Sequence, residues 1–165
     1  ETGWSALLGV SMKKAYFAAA VYTLAGLGLG FYHREFTKAH EFTGPTQLTA
    51  THTHVLALGT LFFLIVIALD KQFAFSGTRL FSGFFWTYNL GLVLTVAMMV
   101  VHGSLTVLGH AAGPAISGVA GLGHIVLTVG FALLFGCLYG PVIHAPETEH
   151  ATGSTRSPVA SGDQR

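Results

Sequence analysis

His52 and His54 are separated by one residue in the run Thr51-His52-Thr53-His54-Val55-Leu56-Ala57-Leu58-Gly59, and the apolar stretch they introduce continues to Leu69 without a charged residue. Imidazole is costly on a lipid-facing surface and well suited to gripping a metal, so an ionisable group at this position is read as functional. Residues i and i+2 of a helix lie about 200° apart, so these two rings point to nearly opposite faces. One metal cannot be held by both from the same helix, as it can by an i, i+4 pair. The spacing instead serves two sites, one on each side of the helix, or equivalent sites in an oligomer.

Two further histidines, His102 and His124, stand inside apolar segments, and the nine histidines of the chain outnumber its eight Lys and Arg together. Zinc or copper prefers three or four close ligands. Haem needs one or two axial histidines and a large apolar slot. Gly59, seven residues after His52 and on its face, together with Gly103, Gly121 and Gly123, would let a flat macrocycle or a neighbouring backbone approach closely. Plain helix packing is the alternative for these glycines, and Gly26-x-x-x-Gly30 is read that way. Met98 and Met99, one turn before His102, could offer a thioether but are read as core filling. Arg34, with His33 and Lys38, suits the carboxylates of haem propionates through its bidentate fork; the alternative is a flanking cation that snorkels to the interface. His33, His40, His110 and His144 are read as interfacial histidines with backbone partners.

The elements that must carry these residues follow from composition. The chain has 165 residues, of which 52% are hydrophobic and only 9% charged, with mean hydropathy +0.61. Soluble domains carry about 25% charged residues, so the expected class is an all-α polytopic membrane protein. A span of the ~30 Å hydrocarbon core needs about 20 apolar residues. Four segments meet that need, at 15–32, 48–69, 80–108 and 117–143, which predicts a four-transmembrane-helix bundle. Period-2 alternation is absent, which argues against a β-barrel. The domain reading is an N-terminal extension over 1–11, the four-helix domain over 12–144, and a disordered tail over 145–165 rich in Ser, Thr, Gly and Pro. Lys13 and Lys14 mimic a signal peptide, but no small-residue cleavage site follows, so the first span is read as retained. The net charge of +1 offers no basic field for nucleic acid. The single cysteine, Cys137, excludes an internal disulfide and a cysteine-rich zinc site.

Lys13, Lys14, Lys71 and Arg79 flank one side of the spans, with Arg156 and Arg165 in the tail, whereas Arg34 and Lys38 lie on the other. The positive-inside rule then puts both termini in the cytoplasm of a bacterial plasma membrane. In that topology His52, His54, His102 and His124 come from three helices and fall at a similar depth, within roughly 10 Å of the outer boundary. Level placement of one residue type is what a metal or haem site requires. Asn89, deeper in the third span, is expected to bond a neighbouring helix, while Asp70 and Lys71 are membrane-edge charges. Glu35 and Glu41 are read as solvated loop charges.

The stretch Phe31-Tyr32-His33-Arg34-Glu35-Phe36-Thr37-Lys38, then Phe42-Thr43-Gly44, then Thr51-His52-Thr53-His54 with Leu56 and Gly59 resembles the signature of a family of small four-helix bacterial membrane proteins of unknown function, over about Met12 to Ile143. A second similarity is shorter. Thr-His-x-His with a later Gly, in a helix entering from the outer side, resembles the ligand helix of the haem-copper oxidase and nitric-oxide reductase superfamily. There, one such histidine binds a low-spin haem and its neighbour serves the second haem, in a subunit of twelve helices arranged as three arcs of four. The resemblance implies that His52 and His54 serve haem sites on opposite sides of the second helix, and that a homotrimer of this chain would imitate the arcs, with His52 of one subunit pairing with His54 of the next. His102 would lie on the helix that supplies copper ligands in the large enzymes. The paired histidines expected there are lacking, and His124 has no counterpart.

The expected function is therefore a haem b membrane protein that uses His52, His54, His102, His124 and Arg34 for electron transfer or for binding nitric oxide or oxygen. In this reading His52, His54 and His102 are the candidate metal ligands. Two alternatives stand beside it: a copper- or zinc-binding or transport protein built on the same histidines, and a non-catalytic assembly factor. No Ser-His-Asp arrangement, phosphate-binding loop or paired intramembrane carboxylates are visible, so the residues do not decide for an enzyme. They do not name a redox partner either.

Overall fold

The computed structural model describes residues 4–143, and the expected tail beyond 144 and His144 lie outside the described residues. Among the described residues every regular element is helical. Helix α1 runs Trp4–Ala39, α2 Leu48–Phe73, α3 Arg79–Val107 and α4 Pro114–Ile143. All four are long and apolar enough to cross a membrane, the architecture of a multi-pass membrane protein. Helices α1, α2 and α4 exceed the apolar segments read from sequence, because backbone groups at the span ends are best satisfied by continuing the helix, whereas α3 keeps the expected length, shifted by one residue. Residues 4–11, set apart above as an extension, continue α1 without a break.

Neighbouring helices run antiparallel and pack as two pairs. In α1 and α2, a Cβ on Gly26 would meet the Leu56 side chain at 2.7 Å, and Gly59 abuts the Tyr22 ring. In α3 and α4, a Cβ on Gly91 would stand 2.5 Å from the backbone nitrogen of Leu127, and one on Gly130 would stand 2.9 Å from the Tyr88 Cα. Lipid is as apolar as leucine, so helices gain by close van der Waals approach, which small residues permit. The two pairs are joined by an aromatic cluster. The rings of Phe62 and Tyr88 stack at 4.2 Å, and Phe131 packs edge-on to both at 5.3 Å. Phe63 and Phe84, fully buried, complete it.

Polar groups inside the bundle are paired across helices. The Tyr22 hydroxyl donates to Asn89 Oδ1 at 2.7 Å, and Asn89 Nδ2 donates to the Phe85 carbonyl, so Asn89 bonds a neighbouring helix as its position predicts. Tyr32 and Ser104 share a hydrogen bond of 2.9 Å between α1 and α3. Large apolar side chains such as Phe17, Leu24, Phe31, Trp86, Ile125 and Phe135 are more than 60% exposed on the outer faces. That distribution suits hydrocarbon as the surrounding solvent.

The second helix is not the uniform α-helix expected from its sequence. It is α-helical over Leu48–His54, π-helical over Val55–Leu61 and α-helical again over Phe62–Phe73. The Phe62 N–H reaches back to the Ala57 carbonyl, and the Tyr88 hydroxyl donates to the Leu58 carbonyl at 2.8 Å. Extra donors of this kind support the poorer hydrogen-bond geometry of a widened turn. Such segments are rare and are found frequently at functional sites. This one begins at the residue after His54.

Asp70 is also more than an edge charge. Its carboxylate is 5% exposed and accepts from the Ser76 backbone N–H at 2.6 Å and the Ser76 hydroxyl at 2.8 Å. It thereby closes the turn between α2 and α3, where Ala74 takes a left-handed conformation with φ 50°.

Candidate functional site

The histidines of interest occupy the end of the bundle formed by the 40–47 and 108–113 connections. Their depths follow from inter-helix contacts. Leu48 packs against Gly103 and Thr95 against Gly123. At 1.5 Å rise per residue, His52 lies about 6 Å and His54 about 9 Å deeper than Gly103. His124, one residue past the Gly123–Thr95 contact, lies about 12 Å deeper than His102. The four thus spread over about 12 Å, with His124 the deepest, His54 about 4–5 Å above it and His102 nearest the helix end.

His52 and His54 flank the buried stripe of Leu48, Thr51 and Val55 on α2. Successive residues are turned by about 100°, so the two rings leave on opposite flanks, as the i, i+2 spacing dictates. The His52 ring turns to α1, where a Cβ on Gly30 would lie 3.7 Å from its Cγ. It stands 6.5 Å from the His33 ring, with the planes 15° apart. Its Nδ1 is buried and has no hydrogen-bond partner among the described residues.

His54 differs. Its Nδ1 lies 2.9 Å from the Ala50 carbonyl. A carbonyl only accepts, so Nδ1 carries the proton and Nε2 of the neutral ring holds the lone pair. That is the tautomer of a metal-ligating imidazole whose other nitrogen is tied to a backbone acceptor. His124 on α4 repeats the arrangement, with Nδ1 2.9 Å from the Ala120 carbonyl, and its ring is exposed. His102 on α3 resembles His52 instead: its Nδ1 is buried without a partner among the described residues. A buried polar atom left unpaired costs about 1–3 kcal/mol, so each orphan nitrogen calls for a ligand or an ordered water.

The glycines proposed to admit a macrocycle divide sharply. Gly59 is filled by Tyr22, Gly103 by Leu48 and Thr46, and Gly123 by Thr95, all from this chain. Gly121 faces open space, as does Gly118. Gly121 precedes His124 by three residues and therefore shares its face of α4. A flat, uncrowded patch thus adjoins the His124 ring. Met98 and Met99 are half-buried. Arg34 is 76% exposed at the end of α1, 3.5 Å from Glu35.

Sequence reading missed one member of the site. His33 was expected to bond backbone, as His40 does with the Phe36 carbonyl at 2.9 Å. Instead His33 Nε2 lies 3.4 Å from the Thr49 hydroxyl, and its ring faces His52. The sequence carried no signal for this contact, which exists because α2 brings His52 and Thr49 to the His33 ring. Among the described residues no group of three His, Cys, Asp or Glu is close enough to hold a metal ion. Within one chain the four predicted histidines are therefore neighbours by region rather than one coordination sphere.

Neither the comparison with curated proteins nor that with solved structures returned a match. Similarity to the haem-copper superfamily accordingly rests on the Thr-His-x-His motif alone. The family model described as "Protein of unknown function (DUF2871)" matches residues 12–140, and the chain belongs to that family.

Proposed function

We propose that this protein binds haem b within a bacterial plasma membrane and uses it for electron transfer or for binding a small gas. The observation that carries the reading is the matched state of His54 and His124. Both rings lie inside apolar spans and have Nδ1–H committed to the carbonyl four residues back. Their Nε2 lone pairs are left for a ligand. His52 and His102 add buried ring nitrogens without partners. The donor set suits haem, which needs one or two imidazoles. It does not suit structural zinc, which needs four ligands.

In this reading His52 and His54, on opposite flanks of α2, would hold the haem iron. His102 and His124 border the same region, and Arg34 receives the propionates at the helix end. Bound haem would supply one-electron chemistry, or an open iron position for nitric oxide or oxygen. The chain's own part is to orient the rings. The Ala50 and Ala120 carbonyls fix two tautomers, and Gly30 lets the His52 ring lie against α1. The exposed His124 face, with Gly121 bare beside it, favours a second copy of the chain as the other wall, and a homotrimer in the manner of the three four-helix arcs. Lys13, Lys14, Lys71 and Arg79 at the opposite end favour cytoplasmic termini.

A second reading has one specific support. The near-parallel His33 and His52 rings could share a copper ion, with the remaining ligands supplied by another subunit. Absorption spectra of the purified protein, oxidised and reduced, separate the two. The haem reading expects a Soret band and split visible bands on reduction, with haem content or spin state altered in His52→Ala and in His54→Ala. A colourless protein with stoichiometric copper would establish the alternative. Unchanged spectra in both variants would place the ligands elsewhere, and a strict monomer by native mass spectrometry would remove the inter-subunit arrangement.

A further inference from the structure

At the end of the bundle away from the histidines, a groove of about 470 Å³ runs between α1 and α3. Its walls are apolar: Phe17, Val21, Phe85, Trp86 and Val93. Lys14 stands at its mouth. A second, smaller cavity adjoins it and shares Lys14, Phe85 and Trp86, but adds the side chains of Ser11 and Ser82. The two form one continuous site, with a cationic, hydroxyl-bearing head and a long hydrocarbon trough.

From this juxtaposition we infer that the α1–α3 groove is a binding site for an anionic phospholipid, with the headgroup phosphate at Lys14, Ser11 and Ser82 and one acyl chain lying along Phe17, Val21 and Trp86. Charge complementarity selects the head, because an ammonium and hydroxyls at one point are suited to a phosphodiester oxygen. The floor selects the tail. Tyr22 and Asn89 line the trough, but the Tyr22 hydroxyl already donates to Asn89, and Asn89 donates to the Phe85 carbonyl. With the Tyr22 proton committed, the trough presents mainly hydrocarbon contact, and its remaining donors are the second Asn89 N–H and the Trp86 indole N–H. Trp86, 64% exposed at the boundary of head and trough, sits where an indole is favoured at a membrane interface.

The test is native mass spectrometry of the full chain in detergent, titrated with dioleoyl phosphatidylglycerol or dioleoyl phosphatidylcholine. The wild type should retain one phosphatidylglycerol in preference to phosphatidylcholine. Lys14→Gln changes an exposed residue and leaves the fold intact. It should lower that preference about fivefold, the loss expected for one cation near an anionic headgroup. Lys13→Gln, which lines neither cavity, should retain the preference. Ala18→Phe, which fills the trough, should reduce retention of both lipids. Equal retention of the two lipids by the wild type, or an unchanged preference in Lys14→Gln, would overturn the inference. Displacement of the bound mass by inorganic phosphate would overturn it too, since the acyl chain would then contribute nothing.

Discussion

Gly103→Ala tests whether helix contact near the candidate site sets both stability and ligand geometry. A Cβ at position 103 would stand 2.7 Å from the Leu48 backbone nitrogen, 2.8 Å from Leu48 Cγ and 3.1 Å from Thr46 Oγ1. Ordinary contact begins at 3.4 Å, so the closest approach must open by about 0.7 Å. Leu48 Cγ can rotate away, but the backbone nitrogen cannot, because it begins α2. The start of α2 must therefore move off α3, carrying His52 and His54 with it. The same shift stretches the hydrogen bond from Thr46 Oγ1 to the Gly103 carbonyl, now 2.9 Å. Overpacking of this kind costs about 1–3 kcal/mol, and a weakened hydrogen bond about 1 more. Alanine recovers up to about 1 kcal/mol of helix propensity. The steric and hydrogen-bond terms win, and the net expectation is a loss of about 1–3 kcal/mol. In detergent the thermal midpoint should fall by roughly 5 °C. Gly28→Ala is the matched control, since nothing lies within 4 Å of its Cβ position. A wild-type midpoint for Gly103→Ala, or an equal fall for Gly28→Ala, would refute the reasoning.

Two further outcomes follow from the packing. Gly91→Ala, whose Cβ would meet the Leu127 backbone nitrogen at 2.5 Å and Cα at 2.8 Å, should separate α3 from α4 and lower stability by about 2–3 kcal/mol. Mild-detergent unfolding followed by tryptophan fluorescence measures it, and an unchanged midpoint would count against backbone-to-backbone contact there. Asp70→Ala removes both acceptors of Ser76 and leaves a buried N–H unpaired. A loss of about 1–3 kcal/mol is expected, together with faster proteolysis of the 74–78 turn, whereas Ser76→Ala, which removes only the hydroxyl partner, should cost less. Equal stability of Asp70→Ala and the wild type would show that the turn is held by other contacts.

Much of the architecture was legible in the chain, and the reasons are local. A span of Val55 to Leu69 with no charge has no alternative to a helix in lipid, because every backbone donor must be satisfied within it. The i, i+2 spacing of His52 and His54 fixed their divergence, since helical twist is a property of the backbone. Asn89, a lone amide in an apolar span, had to find a partner and found Tyr22. The π-helical turn after His54 was not legible. It depends on the Tyr88 hydroxyl arriving at the Leu58 carbonyl from another helix, and no residue within 55–61 announces that. His33 was misjudged for a similar reason: its own helix offers a backbone acceptor, but α2 places His52 and Thr49 closer to the ring.

The order of apolar and polar residues along the chain was enough to set the number of helices and the histidines each carries. Contact between helices decided the rest. It filled Gly59, Gly103 and Gly123 from within the chain, left Gly121 bare beside His124, and buried one ring nitrogen each of His52 and His102 while leaving the His124 ring exposed. Helical periodicity is encoded over a few residues, whereas register between helices depends on side chains dozens of positions apart and exists only once the bundle has closed.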